Sequence, residues 1–157
     1  MRRVATIVLV LMLMACSSID CPLNTVEGCK YGFAGDVTVL SDTLTINALR
    51  TDGNDMTLLN RKVNVSNFVL PLSNNQPSDI LLFSFTDTLN VTLTDTVRVF
   101  KTDMARFESV DCSPVFFHQI NDVEWTRNVI DNIIISKSTV NYDTIGCNLH
   151  IYIKPGH

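Results

Sequence analysis

The 157-residue chain is poor in the groups that most activities recruit. It has one Trp, three Tyr, three His and only three Glu (Glu27, Glu108 and Glu124), and aromatic residues make up 8% of it. It also lacks a basic excess: 12 Lys+Arg stand against 16 Asp+Glu, a formal net charge of −4, so nothing would neutralise a phosphate backbone and no nucleic acid is expected as a partner. No Gly-x-Ser-x-Gly elbow, His-Glu-x-x-His pair, Gly-rich phosphate loop or Cys-x-x-Cys pair occurs. These absences argue against hydrolase, metalloprotease, nucleotide-binding and thioredoxin-like chemistry. The expectation is a protein that is not an enzyme and carries no cofactor and no metal. What it does have is 46% hydrophobic and 18% charged residues, which suits one buried core and not a disordered chain.

Met1-Arg2-Arg3 is followed by an apolar or small run from Val4 to Ala15, a charged n-region and an h-region of an export signal. At about 1.5 Å per residue that run is too short for a permanent membrane helix. Leu13-Met14-Ala15-Cys16 resembles the lipobox of bacterial lipoproteins. The resemblance implies cleavage after residue 15 and a lipid on Cys16, so that the membrane is reached through the lipid anchor. Cleavage takes 15 of the 157 residues and two of the 12 basic ones, leaving 142 residues and a net charge of −6. Ser17 and Ser18 follow Cys16, with no Asp directly after it to resemble an inner-membrane retention signal. Only Asp20 stands where Bacteroidetes lipoproteins carry an acidic surface-export cluster. The outer membrane, facing the periplasm, is the expected location.

Removing Cys16 leaves Cys21, Cys29, Cys112 and Cys147, an even number in an oxidising compartment. Four Cys allow three connectivities, of which Cys21–Cys112 with Cys29–Cys147 is the one favoured here. No His stands at ligand spacing from any Cys, so zinc is not expected.

From Asp36 onward the apolar residues alternate with period two. Leu44, Ile46 and Ala48 alternate with Thr43, Thr45 and Asn47; Leu89, Val91 and Leu93 with Thr88, Asn90 and Thr92; Leu149, Ile151 and Ile153 with His150, Tyr152 and Lys154. Such segments are strands with one wet face. Ile80 to Phe85 and Val129 to Ile135 are more continuously apolar, as expected of strands central to a sandwich. Asp52-Gly53, Asn74-Asn75-Gln76-Pro77 and Ser113-Pro114 supply turns. Eight to ten short strands without an amphipathic helix predict an all-β fold, an antiparallel two-sheet β-sandwich with immunoglobulin-like connections. The expected organisation is a signal peptide over 1–15, a lipid-anchored tether and disulfide-pinned entry over 16–35, and the sandwich over 36–157. Residues 102–128 read as the least regular part, a large loop or crossover.

Among the reactive residues, His118 follows Phe116 and Phe117 and reads as a partly buried His with a hydrogen-bond partner. His150 should face outward from its strand, and His157 is terminal. Thr51-Asp52-Gly53-Asn54-Asp55 lacks the ligand spacing of a calcium loop and reads as a turn. Asp followed by Thr and an aliphatic residue occurs at Asp42-Thr43-Leu44, Asp87-Thr88-Leu89, Asp95-Thr96-Val97 and Asp143-Thr144-Ile145, where composition alone predicts about one match. The tripeptide resembles the O-glycosylation signal of exported Bacteroidetes proteins, which would make Thr43, Thr88, Thr96 and Thr144 glycan sites. Asp-Thr leading into an apolar strand is equally ordinary turn chemistry.

Cys-Ser-Ser-Ile-Asp-Cys-Pro-Leu from Cys16, Asp-Thr-Leu-Thr from Asp42, Leu-Leu-Asn-Arg from Leu58, Phe-Glu-Ser-Val-Asp-Cys from Phe107 and Phe-Phe-His from Phe116 together resemble small cell-envelope lipoproteins of unknown function from Bacteroides and its relatives. The resemblance covers nearly the whole mature chain and implies no activity for any residue. It further implies a partner, an outer-membrane β-barrel protein. The expected function is that of a non-catalytic outer-membrane lipoprotein, an accessory or binding component of the envelope. The alternative is a surface-exposed carbohydrate-binding or adhesin module, which needs exposed aromatic side chains.

Overall fold

The computed structural model describes residues 21, 28–50, 53, 55–107, 109–143 and 145–156. Among these are ten strands and no helix: β1 (Gly28–Ala34), β2 (Thr43–Leu49), β3 (Met56–Lys62), β4 (Asn67–Pro71), β5 (Ser78–Thr86), β6 (Thr92–Arg106), β7 (Val115–Trp125), β8 (Ile130–Ile135), β9 (Thr139–Val140) and β10 (Leu149–Ile153). They build a four-stranded sheet in the order β4-β1-β10-β8 and a six-stranded sheet in the order β3-β2-β5-β6-β7-β9. The two sheets pack face to face, so the chain is an all-β sandwich. It changes sheet after β1, β3, β4, β7, β8 and β9, the repeated crossing that distinguishes a sandwich from a simple meander. Pairing is antiparallel except between β1 and β10, where Tyr31 faces Leu149 in parallel register.

Period-two burial produces this arrangement. Leu149, Ile151 and Ile153 of β10 are buried while His150 and Tyr152 are half-buried, and Leu81, Phe83 and Phe85 of β5 repeat the pattern. The two inner faces meet at Tyr31 of β1, Phe68 of β4 and Phe83 of β5. Tyr31 stacks on Phe68 with ring centroids 5.1 Å apart, and Phe83 lies 6.0 Å from Phe68 across the sandwich.

Three expectations are corrected. The sandwich begins by Gly28 and not at residue 36, because β1 lies inside the segment assigned to an irregular entry and is hydrogen-bonded between β4 and β10. Gly28 and Gly32 hide this strand from a sequence reading that takes glycine as a turn signal. They are there for close approach: a Cβ at Gly28 would meet Val69 Cγ1 at 2.2 Å, and one at Gly32 would meet Cys147 Sγ at 2.7 Å. Residues 102–128 are mostly strand, the long β6–β7 hairpin, whose alternation is broken by a register shift at Phe100 and Lys101. Ile130–Ile135 is an edge strand of the four-stranded sheet, with Ile133 buried and Ile134 44% exposed on the outer face.

Asp95 lies on the core face of β6 with no exposed surface. Its Oδ1 accepts from Thr126 Oγ1 and from the backbone N–H of Asn128, both at 2.7 Å, and its Oδ2 accepts from the N–H groups of Val129 (2.7 Å) and Ile130 (2.8 Å). These donors lie along the β7–β8 connection, which carries the chain between sheets, and at Ile130, the first residue of β8. Asp95→Ala leaves the N–H groups of Val129 and Ile130 buried and unpaired, and the expected loss is about 3–5 kcal/mol in urea unfolding. Asp131→Ala, at an exposed carboxylate of β8, is expected to stay within about 0.5 kcal/mol.

Candidate functional site

The registers bring several irregular segments to one end of the sandwich. Gly28 faces Pro71, Leu49 faces Ile80, Ser78 faces Phe100 and Arg106 faces Val115. The β2–β3 turn, the β4–β5 connection, the tip of the β6–β7 hairpin and the 141–148 segment therefore share this end. Cys21 is joined here to Cys112 in the hairpin tip, with Cα atoms 5.5 Å apart. The second expected bridge is not formed, since Cys29 and Cys147 are separate thiols. Cys29 points into the core from β1 beside Tyr31, whereas Cys147 Sγ lies against Gly32, whose missing side chain would point to the opposite face of the same sheet. Sheet alternation alone keeps the two sulfurs apart.

Polar side chains collect inside this end. The β6 register shift leaves Lys101 on the core face, 4% exposed. Lys101 Nζ donates to Asp103 Oδ1 at 2.7 Å, to the Gln76 carbonyl at 2.9 Å and to the Ser73 carbonyl, and Asp79 Oδ2 lies 3.8 Å away. His118, fully buried on β7 opposite Asp103, donates from Nδ1 to the same Asp103 Oδ1 at 2.7 Å, while its Nε2 has no partner. Next to this network is a cavity of about 520 Å³ whose wall shares Ser73, Gln76 and Asp79 with it. Leu49, Met56 and Ile80 give the cavity apolar surface, and Asn74 and Asn75 line it alongside Gln76.

An Asp–His pair is half of a hydrolytic relay, but the other half needs a hydroxyl or thiol within about 2.6–3.2 Å of Nε2. His118 Nε2 has none, and the three donors of Lys101 are committed to two carbonyls and a carboxylate. What the arrangement does chemically is satisfy the β4–β5 connection. Cys29 is equally withdrawn: burial pushes its thiol from 9.0 up to about 12, against a smaller lowering by Tyr31. The Tyr31 hydroxyl is also raised well above its usual value by burial, and its contact with the Cys29 thiol falls short of an ordinary hydrogen bond. Among the described residues no group of three or more His, Cys, Asp or Glu is placed to hold a metal ion.

The remaining candidate positions are scattered. Cys16 and Thr144 lie outside the described residues. Thr43 and Thr96 are half-buried within β2 and β6, and Thr88 is exposed in the β5–β6 turn. In three of the four tripeptides the Asp bonds backbone N–H groups. Asp87 Oδ1 accepts from the N–H groups of Leu89 and Val91, both at 2.8 Å, and Asp143 Oδ1 from that of Ile145 at 3.0 Å, both Asx-type turns. Asp143 is held below the usual carboxylate range first by the Lys137 ammonium, 2.6 Å away, and then by that Ile145 bond. Asp95 serves the β7–β8 connection. His150 is half-buried on the outer face of β10, with Nδ1 enclosed and unpartnered. Sequence reasoning overlooked Lys101, Asp103 and Asn148. The Asn148 side chain accepts from Lys30 N–H at 2.9 Å and donates to the carbonyls of Lys137 and Thr139, replacing strand partners where β10 begins.

Fold and site together define a disulfide-stapled β-sandwich whose buried polar side chains serve its own connections. Residues 43–153 match the model of DUF6452, a family of unknown function, and the chain belongs to that family. No curated protein and no solved structure matches it.

Three outcomes follow from the site. Lys101→Met takes the donor away from the Ser73 and Gln76 carbonyls and leaves Asp103 with His118 alone of the two donors described, with an expected loss of about 3 kcal/mol in urea unfolding. Because folding raises the Cys29 pKa, its contribution is complete below pH 9.0 and lost as the pH climbs toward about 12, where the unfolded thiol ionises and the folded one does not. Cys29→Ala is therefore expected to flatten the fall in thermal midpoint over that window. At neutral pH a maleimide should modify half-buried Cys147 in the native protein and reach Cys29 only after denaturation.

Proposed function

We propose that this protein is a non-catalytic lipoprotein of the outer membrane, acylated at Cys16, facing the periplasm, and acting as an accessory or binding component of the cell envelope. The observation that carries the reading is the Cys21–Cys112 bridge. A bridge of that kind persists in an oxidising compartment, which agrees with the export pattern over residues 1–15. It also fixes the chain to the domain only five residues beyond Cys16. The commitment of Lys101, Asp103 and His118 to internal hydrogen bonds supports a binding or structural role over catalysis. The partner class we propose is an outer-membrane β-barrel protein, and Thr88 is the described Asp-Thr position best exposed for a glycan.

The alternative of a surface-exposed carbohydrate-binding module is favoured by one feature, the amides of Asn74, Asn75 and Gln76 lining the cavity. It is weakened by the absence of an aromatic ring among the lining residues on which a sugar could stack.

Radiolabelled palmitate is expected to enter the full-length protein, and Cys16→Ser to abolish both labelling and membrane recovery. Protease added to intact cells is expected to leave the domain uncut until the outer membrane is permeabilised. Cleavage on intact cells overturns the periplasmic placement and favours the surface module.

A further inference from the structure

The disulfide end carries a second feature that the polar network does not use. In the β6–β7 hairpin tip Phe107 is 70% exposed and Val110 99% exposed, on the same short segment as Cys112. Ile145, 84% exposed, projects from the neighbouring 141–148 segment. That segment is held against the hairpin by an edge-on contact between Tyr142 and Phe117, with ring centroids 5.0 Å apart, and the Arg106 guanidinium lies 5.6 Å over the Phe117 ring. Large apolar side chains beside aromatic rings and an arginine are the composition of a membrane–water interface.

We infer that this end of the sandwich docks on the lipid surface, with Phe107, Val110 and Ile145 entering the headgroup region. The inference rests on the acylation of Cys16 proposed above. Chain length then does the positioning. From Cys16 to Cys21 there are five residue steps, at most about 18 Å of extended chain. Cys21 is locked to Cys112, so the hairpin tip has no freedom to leave the neighbourhood of the bilayer. The opposite end also exposes Leu89 and Val91, but it lies a full β6 length away, 15 residues or about 50 Å, and so short a tether does not let it take the tip's place. The acyl chains on Cys16 supply the attachment, and apolar side chains entering the interface add to it and orient the domain.

The test uses full-length acylated protein in phosphatidylethanolamine/phosphatidylglycerol vesicles with brominated acyl chains, which quench tryptophan on contact. Trp125 sits at the far end of β7, ten residues or about 33 Å from its start at the hairpin. Native Trp125 is expected to keep its emission. Phe107→Trp and, separately, Val110→Trp in a Trp125→Phe background are expected to lose about half of theirs or more. A mass spectrum of the same preparation reports the lipid on Cys16. Acylated protein with both new tryptophans unquenched overturns the docking and leaves the anchor standing, as expected if this end instead meets a protein. Equal quenching at Trp125 and at the tip means that the domain lies flat, and overturns it too. Protein without acyl chains overturns the anchor, and the docking with it.

Discussion

The sandwich depends on satisfying the backbone of the connections that carry the chain from one sheet to the other. Such connections cross the ends of the core, where strand partners run out and buried N–H and C=O groups still need hydrogen bonds. One strand supplies them at both ends. On the core face of β6, Asp95 offers two carboxylate oxygens to the N–H groups of the β7–β8 connection, and six residues along the same face Lys101 offers its ammonium to the carbonyls of the β4–β5 connection. The signs are matched to the backbone groups each must meet: an acceptor where amides converge, a donor where carbonyls do. Without these two side chains the crossings would enclose unpaired polar groups next to an apolar core, at a cost of about 1–3 kcal/mol for each.

Between the two charged ends the core is conventional. Tyr31, Phe68 and Phe83 join the sheets, flanked by aliphatic residues of β2, β5, β6 and β10. A one-residue slip of any of these strands would send its apolar set to the wet face, so alternation holds register as well as burial. The β6 shift at Phe100 and Lys101 is the place where alternation yields, and it is where Lys101, Asp103 and His118 are gathered. His118 shares the Asp103 oxygen that answers Lys101, donating to it from Nδ1, while its Nε2 stays buried without a partner.

Strands with a strong apolar signal were legible in the sequence: β2 and β10 lie where period two puts them, β5 lies on the more continuously apolar run from Ile80 to Phe85, and the burial and hydrogen bonding of His118 follow from its apolar neighbours. Features that depend on distant partners were not. β1 is concealed because Gly28 and Gly32 answer to Val69 and Cys147, residues 41 and 115 positions away. Asp95 looks in sequence like Asp87 and Asp143, each preceding Thr and an aliphatic residue, yet those two close local turns and Asp95 closes a crossing more than thirty residues on. The pairing of Cys29 with Cys147 fails for a related reason. Counting cysteines does not say which face of a sheet each one occupies.

These placements give the molecule a direction. The bridge, the polar network and the cavity lie toward one end, while the β5–β6 turn with exposed Thr88 lies at the other, about 50 Å from the bridged tip and about 30 Å from Lys101 along β6. Within the bridged end the cavity sits beside β2 and β3, and the hairpin tip belongs to β6 and β7. Successive strands are about 4.8 Å apart, so β2 and β7, three places apart in the sheet, are separated by about 14 Å. Along the strands the offset is larger, since Ile80 in the cavity wall is in register with Arg98, eight residues or about 26 Å short of Arg106, so a tip seated in the headgroups would hold the cavity above the bilayer surface. A ligand or partner segment would then reach the cavity from the aqueous side of the headgroups, and the glycan proposed for Thr88, farther out along the same strand, would lie on the side away from the bilayer.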